Sequence, residues 1–188
     1  FAFVGTIAST GETALVTHHG SRGFGAALYR EGMRVADKHR QRLSPETLKA
    51  NSWIPADTQE GDDYWDALQI VRGWTKLNHF ALHDTVGVAG DRFWNEHNFV
   101  FRKSDGLFYH GKGATPAFDG WAHDASGFTL IPLNMAEPVL ITRGRNNSIA
   151  LGFSPHGAGR NFSRSEHRRR GMGDFDLETK GIDARFFS

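Results

Sequence analysis

The sequence predicts an α+β fold, in which mixed β-sheet layers are flanked by helices. Apolar residues recur at helical spacing in two stretches, residues 24–43 and 62–88, which predicts two amphipathic helices. Between residues 97 and 153 the pattern changes to short alternating runs separated by turn residues, and this is typical of strands. Strand-rich sequence beside two helices indicates the α+β class. A length of 188 residues fits one core, so we expect a single domain over residues 1–188.

Composition restricts the kinds of partner. The 22 lysines and arginines are nearly balanced by 21 aspartates and glutamates, so no overall field attracts nucleic acid and any site for a polyanion must be local. The sequence contains no cysteine for disulfides, no apolar stretch long enough to span a membrane, and no secretory pattern in its first residues. We therefore expect a cytoplasmic protein. Ten histidines is a high number for this length.

The start of the sequence predicts a strand that opens into a glycine-rich turn. Residues 12–17 read as a short buried strand, followed by a turn that begins at His18 and contains several glycines. Functional residues concentrate where strands open into such turns. The helix predicted for residues 24–43 ends in basic residues that suit its dipole, so these charges need no functional explanation. Residues 44–61 contain two prolines and read as a surface connector.

The second helix carries a histidine pair. Asp62 or Asp63 can cap it, and it is expected to run to about Val88. His79 and His83 lie one turn apart, and such a pair can bind a metal ion. The stretch has no acidic third ligand in the metalloprotease pattern, so a metal role for this pair is the less favoured interpretation.

The second half of the chain predicts strands. Residues 97–101 and 107–110 form a hairpin around the turn 104–106, which places His97 and His110 in one region of sheet. Further strands are expected at residues 128–132, 139–142 and 149–153, and the last of these leads towards His156.

His156 lies in a turn of small residues, Ser154-Pro155-His156-Gly157-Ala158-Gly159-Arg160. Glycine lets several backbone N–H groups approach an anion, so the turn is suited to a phosphate. A histidine there can attack phosphorus, move a proton or hold a metal. The alternative is a glycine-rich turn with a surface histidine. Four further arginines between residues 164 and 170 can neutralise phosphates, with a solvated helix face as the alternative.

Five strings in this order resemble the RtcB family of RNA-splicing and RNA-repair ligases. The strings are His18-His19-Gly20-Ser21-Arg22-Gly23, Phe93-Trp94-Asn95-Glu96-His97-Asn98-Phe99, His110-Gly111-Lys112-Gly113-Ala114-Thr115, Ile131-Pro132-Leu133-Asn134-Met135 and His156-Gly157-Ala158-Gly159-Arg160, followed by Ser163-Arg164. The resemblance implies an RtcB-like fold and a ligase dependent on GTP and manganese. Such a ligase joins an RNA 3′-phosphate or 2′,3′-cyclic phosphate to a 5′-hydroxyl.

The resemblance also implies roles for individual residues. His156 is similar to the nucleophile that takes GMP as a phosphoramidate, and His18 and His97 are similar to ligands of the two manganese ions. The segments that resemble those holding the guanylate comprise Asn98, Pro132, Leu133, Asn134, Met135, Gly157, Ala158 and Gly159. The residues that resemble the family's RNA-phosphate ligands are Arg22, Lys112, Arg160 and Arg164.

The chain departs from the family pattern in several places. In the family an aspartate, a cysteine and an Asn-His pair ahead of the His18 motif complete the metal centre, and a lysine further along contacts the guanosine. The chain contains no cysteine, so we expect a second chain or segment to supply the remaining ligands, unless this is a degenerate relative. His19, Gly111, Pro116 and the Leu133-Asn134 turn also replace commoner residues, and these changes bear on base and RNA selectivity.

Two other functions stay open at this point. One is a non-catalytic fragment that binds RNA or a nucleotide. The other is a metal-dependent phosphoesterase in which His18, His97 and His156 all bind metal and a bound water attacks. The sequence contains no Gly-x-x-x-x-Gly-Lys-Ser/Thr loop, so an ordinary P-loop nucleotide site is excluded.

Overall fold

The computed structural model describes residues 1–134, 136–159, 161–171, 177 and 180–182. The chain forms two compact units, residues 1–91 and 92–188. Helices and antiparallel strands are both present, which confirms the α+β class. Among the described residues, no helix combines the length and apolar character needed to cross a membrane.

The first unit consists of a β-hairpin and two long helices. Its elements are β1 (Ala2–Thr6), β2 (Thr13–Thr17), α1 (Arg22–Leu43), a short 3-10 turn (Lys49–Asn51) and α2 (Gln59–Thr85). The strand expected at 12–17 and the helix expected at 24–43 are thus confirmed. The sequence analysis missed β1, which pairs with β2 from Ala2 opposite Thr17 to Thr6 opposite Thr13. Most residues of β1 are exposed and one is glycine, so its apolar pattern is weak.

Helix α2 begins earlier than expected, because a threonine caps it. The caps predicted at Asp62 or Asp63 are wrong: the side chain of Thr58 accepts a hydrogen bond from the backbone N–H of Gly61 at 3.1 Å. A Cβ at Gly61 would lie 2.3 Å from the Pro55 carbonyl oxygen, so glycine allows the connector to cross the first turn of the helix. Asp62 instead lies in the first turn, where a carboxylate suits the helix dipole.

The second unit is built from short strands around an aromatic core. Its elements are β3 (Asn98–Arg102), β4 (Phe108–Lys112), β5 (Ala114–Pro116), β6 (Phe128–Pro132), β7 (Val139–Arg143), β8 (Phe153–Pro155) and α3 (Arg164–Arg169). Trp121 lies at the centre of the core, with its ring centroid 5.0 Å from that of Phe101 and 4.5 Å from that of Phe153. Its indole N–H donates to the Leu151 carbonyl at 2.9 Å.

The strand expected at residues 149–153 is wrong, because a turn occupies most of it. Leu151 N–H donates to the Ser148 carbonyl at 3.1 Å, and Leu151 has a φ of 52°. Its carbonyl accepts the hydrogen bond from Trp121, so the backbone of this turn contacts the indole while the Ile149 and Leu151 side chains stay exposed. The strand that leads to His156 is the shorter β8, which pairs with β5, a strand that the sequence analysis missed.

Strand pairing also differs from the expected mixed sheet layers. Within the described part of the chain, the strands form four two-stranded sheets, β1–β2, β3–β4, β5–β8 and β6–β7, and every pair is antiparallel. Three of the pairs join consecutive strands through short turns, which favours antiparallel pairing because parallel strands need a long crossover. The hairpin predicted around residues 104–106 is confirmed, as are the strands predicted at 128–132 and 139–142, whose pairing with one another was not predicted.

Candidate functional site

His97 and His156 stack on one another in the second unit. His97 directly precedes β3 and His156 directly follows β8. Their ring centroids lie 3.9 Å apart and the ring planes differ by 9°. One ring nitrogen of His97 lies within 4.8 Å of one ring nitrogen of His156. The structure thus brings together the predicted metal ligand and the predicted nucleophile of this unit.

The backbone of Gly113 holds these two histidines at that spacing. Its N–H donates to the His97 carbonyl at 2.8 Å and to the Asn98 side-chain oxygen at 3.0 Å. Its carbonyl accepts from the His156 N–H at 3.0 Å. The φ of Gly113 is 70°, a conformation that other residues adopt only with strain. We call this arrangement the Gly113 junction, and it sets the distance between the chain segments that carry the two rings.

Partial burial favours the neutral form of the His97 ring. Removal of the ring from water lowers the pKa of His97, and a hydrogen bond to its own backbone opposes this effect. A neutral imidazole retains a nitrogen lone pair that can bind a metal ion. The electrostatics therefore suit His97 to ligation more than to a fixed positive charge.

Asn95 links this region to the segment that is expected to hold a nucleotide. Its side-chain amide donates to the Phe128 carbonyl at 2.9 Å and accepts from the Leu130 N–H at 2.8 Å. The amide therefore occupies the position of a strand partner on β6, which ends at Pro132. The sequence analysis gave Asn95 no role, although it lies within a family string, because its partners are more than 30 residues away.

The predicted guanylate-binding segments lie close together where the structure describes them. A Cβ on Gly157 would lie 3.7 Å from the Pro132 carbonyl oxygen, so the turn after His156 lies beside the end of β6. The Asn134 side-chain oxygen accepts from the N–H groups of Ala136 and Glu137 at 2.8 and 2.9 Å, which stabilises the turn after Leu133. Met135 lies outside the described residues.

The predicted anion-binding residues are only partly described. Lys112 lies at the exposed end of β4, and Arg22 begins α1 with a φ of 52°. For a non-glycine residue this left-handed conformation costs about 1–2 kcal/mol. Arg160 lies outside the described residues, as does the side chain of Arg164, whose backbone begins α3.

His18 lies in the first unit, at the end of the β1–β2 hairpin. Its backbone N–H donates to the Phe1 carbonyl at 2.8 Å, and its ring meets that of Phe1 edge to face at 5.1 Å. His110 is different, because it lies within β4 opposite Val100 with its side chain exposed.

His79 and His83 form a hydrogen-bond network with Thr17. The His79 Nε2–H donates to the His19 carbonyl at 3.0 Å, because a carbonyl can only accept. In the neutral ring Nδ1 therefore accepts from the Thr17 hydroxyl at 2.9 Å, and Thr17 accepts from His83 Nε2–H at 2.9 Å. Burial lowers the pKa of His79 to about 4, which agrees with a neutral ring. Both nitrogens of His79 are thus used to hold the end of β2, and the metal interpretation of this pair is not favoured.

Comparison with known proteins finds relatives that are described as RtcB ligases. The chain is similar to the tRNA-splicing ligase RtcB of Thermococcus kodakarensis, at 25% identity over 93% of this chain and 43% of that protein. It is similar to the RNA-splicing ligase RtcB of Escherichia coli K12, at 26% identity over 82% of this chain and 41% of that protein. The tRNA-splicing ligase RtcB of Aeropyrum pernix is 27% identical over 85% of this chain and 39% of that protein.

The chain spans less than half the length of each of these relatives. No solved structure matches it significantly. The family model described as tRNA-splicing ligase RtcB matches residues 4–186, which is nearly the whole sequence. The chain therefore belongs to the RtcB family.

Proposed function

We propose that this chain carries the nucleotidyl-transfer centre of an RNA ligase. The ligase joins an RNA 3′-phosphate or 2′,3′-cyclic phosphate to a 5′-hydroxyl, and His156 is the nucleophile. The observation that supports this most is the stacked pair of His97 and His156, held by the Gly113 junction. Membership of the RtcB family supports RNA as the substrate.

His156 forms the covalent bond in the first step. One of its ring nitrogens attacks the α-phosphorus of GTP, the bond to the β-phosphate breaks, and pyrophosphate leaves. His156 then releases GMP to the RNA 3′-phosphate, which is thereby activated. Attack by the 5′-hydroxyl on that phosphate forms the phosphodiester and expels GMP. A stacked neighbour that fixes the ring plane of His156 favours the attack, because in-line displacement depends on orientation.

Neutral imidazole nitrogens can bind a divalent metal ion, and manganese is proposed because the chain belongs to the RtcB family. His97 is half-buried and its pKa is lowered, so it offers a neutral nitrogen, and we propose that His18 supplies another. When bound, two manganese ions would stabilise the charge that develops on phosphoryl oxygens. The remaining ligands are proposed to come from a segment or chain outside this sequence.

The neighbouring segments suit the nucleotide and the RNA. The backbone from Gly157 to Gly159 offers N–H groups next to the nucleophile, and the turn from Pro132 to Met135, together with Asn98, is proposed to hold the guanylate. The proposed RNA-phosphate ligands are Arg22, Lys112, Arg160 and Arg164.

A labelling experiment tests the proposal. The complete protein is incubated with manganese and with GTP labelled on either the α- or the γ-phosphate, then denatured. We expect the α-label, and not the γ-label, to stay on the chain, and His156→Ala to abolish it. His123→Ala is the matched control, because that side chain lies in the same unit and is 95% exposed. Retention of the label in His156→Ala would contradict the proposal.

One rival function has an observation in its favour. Ring nitrogens of His97 and His156 lie within 4.8 Å, and two ligands of one ion with bonds of about 2.1 Å lie at most about 4.2 Å apart. A small rotation would let both bind one metal, as a phosphoesterase requires. That enzyme would hydrolyse a phosphate ester without forming any adduct, so the labelling experiment separates the two.

A further inference from the structure

We propose that the exposed face of the β3–β4 hairpin is a binding surface for single-stranded RNA, with Phe108 stacking on a base and Arg102 contacting a phosphate. The inference rests on the proposed function for the class of partner. Phe108 and Arg102 lie outside the histidine pair and outside the predicted anion-binding set.

The register of the hairpin defines the face. Residues that lie directly opposite one another in an antiparallel pair share a face. Three such pairs form this surface: Asn98 with Lys112, Val100 with His110, and Arg102 with Phe108. We call these six residues the hairpin face, and all of them except Val100 are exposed.

The opposite face anchors the hairpin. Phe101 is 8% exposed and packs edge to face on Trp121 at 5.0 Å. Its cross-strand partner Tyr109 also contacts Trp121, at 6.0 Å between centroids. Phe101 and Tyr109 thus face inward, and the outward residues are polar or basic apart from Val100 and Phe108. A rigid, anchored strand pair loses little conformational entropy when it binds a ligand.

The chemistry of the hairpin face fits a nucleic acid. It contains two permanent cations and a histidine, and no carboxylate. Phe108 is 45% exposed, although it is a large apolar residue. The Arg102 guanidinium lies 5.7 Å from the centre of its ring. An aromatic ring interleaved with basic residues is the usual platform on which single-stranded bases stack while cations contact the backbone.

The position of the hairpin face connects it to the proposed reaction. Asn98 and Lys112 lie at the end next to the Gly113 junction, whereas Arg102 and Phe108 lie at the other end. Four residues of strand span about 13 Å, which covers several base-stacking steps of about 3.4 Å. A strand whose terminus reaches His156 can therefore lie along this surface.

RNA binding in the absence of GTP tests the surface. The probe is a fluorescent, unstructured oligouridine with a 3′-phosphate, and anisotropy is recorded over a range of salt concentrations. We expect Phe108→Ala to weaken binding about tenfold, because loss of one base–aromatic stack has roughly that effect. Phe108→Trp should bind as well as the wild type. Arg102→Ala should lower the slope of log affinity against log salt by about 0.7, the value for one phosphate of a single strand.

Arg143 provides the matched control. It is an exposed arginine at the end of β7, and its guanidinium lies 4.7 Å from the centre of the Phe128 ring, so it has the same chemistry on a different hairpin. Arg143→Ala should leave affinity and salt slope unchanged. Circular dichroism checks that each variant is folded.

The outcomes separate this inference from the proposed function. Affinities of Phe108→Ala and Arg102→Ala within twofold of wild type would overturn the inference, as would an equal loss in Arg143→Ala. Neither result would change the expected labelling of His156 with GMP. The expected RNA binding without any labelling of His156 would instead overturn the proposed mechanism and keep the surface. Absence of RNA binding by the wild type would overturn both the surface and the RNA substrate.

Discussion

Replacement of Gly113 by proline tests whether the Gly113 junction sets the geometry of the two histidines. Proline has no N–H and fixes φ near −65°, whereas Gly113 has a φ of 70°. The change removes the donor to the His97 carbonyl and to the Asn98 side chain. It also turns the carbonyl away from the His156 N–H.

The expected magnitudes differ for stability and for reaction rate. The lost hydrogen bonds contribute about 1 kcal/mol each, so the free energy of unfolding should fall by about 2–3 kcal/mol. The rate of GMP transfer to His156 should fall about 100-fold, because a displacement of about 1 Å between reacting groups has an effect of that size. Gly113→Ala keeps the N–H. A Cβ there would meet nothing within 4 Å, so alanine adds only about 1–2 kcal/mol of backbone strain. This strain is smaller than the free energy of the hydrogen bonds that would have to break to relieve it. The transfer rate should therefore stay within a few-fold of the wild-type rate.

The assay combines urea unfolding with the initial rate of adduct formation. Gly106→Pro is the second control, because Gly106 has a φ of 79°, open space around it and an N–H bonded to the Lys103 carbonyl. It should lose stability and keep the transfer rate. A folded Gly113→Pro protein that forms the adduct at the wild-type rate would refute the reasoning.

Three further predictions concern hydrogen bonds and pH. Thr17→Val should lower stability by about 2 kcal/mol, because the buried His79 and the half-buried His83 lose a partner, whereas Thr13→Val at the exposed start of β2 should change little in urea unfolding. The folded pKa of His79 is lowered to about 4 from 6.5, so the unfolded chain binds more protons between these values. Stability should be constant above about pH 6.5 and fall by at most about 3 kcal/mol towards pH 4; a flat profile would contradict this. Asn95→Asp cannot donate to the Phe128 carbonyl, so the free energy of unfolding should fall by about 1–3 kcal/mol. The midpoint of thermal unfolding should therefore be lower, and an unchanged midpoint would contradict this prediction.

The parts of the fold that the sequence predicts are those with local patterns. Helices α1 and α2, the β3–β4 hairpin and the individual strands β6 and β7 follow from periodicity and turn residues within one segment. The pairing of β5 with β8 does not, because its partners Thr115 and Ser154 are distant in sequence. The turn at Leu151 likewise depends on Trp121, a contact that no local pattern reveals.

In the candidate site, too, features with a local sequence pattern were predictable and features that depend on distant contacts were not. The strings around His18 and His156 point to these residues because their glycines and arginines are contiguous, and His97 lies in a contiguous family string of its own. The roles of Thr17 and Asn95 were not predictable, since each acts through hydrogen bonds to residues far along the chain. Gly113 carried one usable signal, its place in a family string, but its two histidine partners are evident only in the structure.

The most direct test of the central claim is to map the site of GMP attachment. The complete protein is incubated with GTP and manganese, digested under alkaline conditions, and analysed by mass spectrometry. We expect one modified peptide, carrying GMP on His156, which loses the group in acid and keeps it in base as a phosphoramidate does; His156→Gln should remain folded and unmodified. A GMP group on any other residue, or an adduct that survives acid, would show that His156 is not the nucleophile.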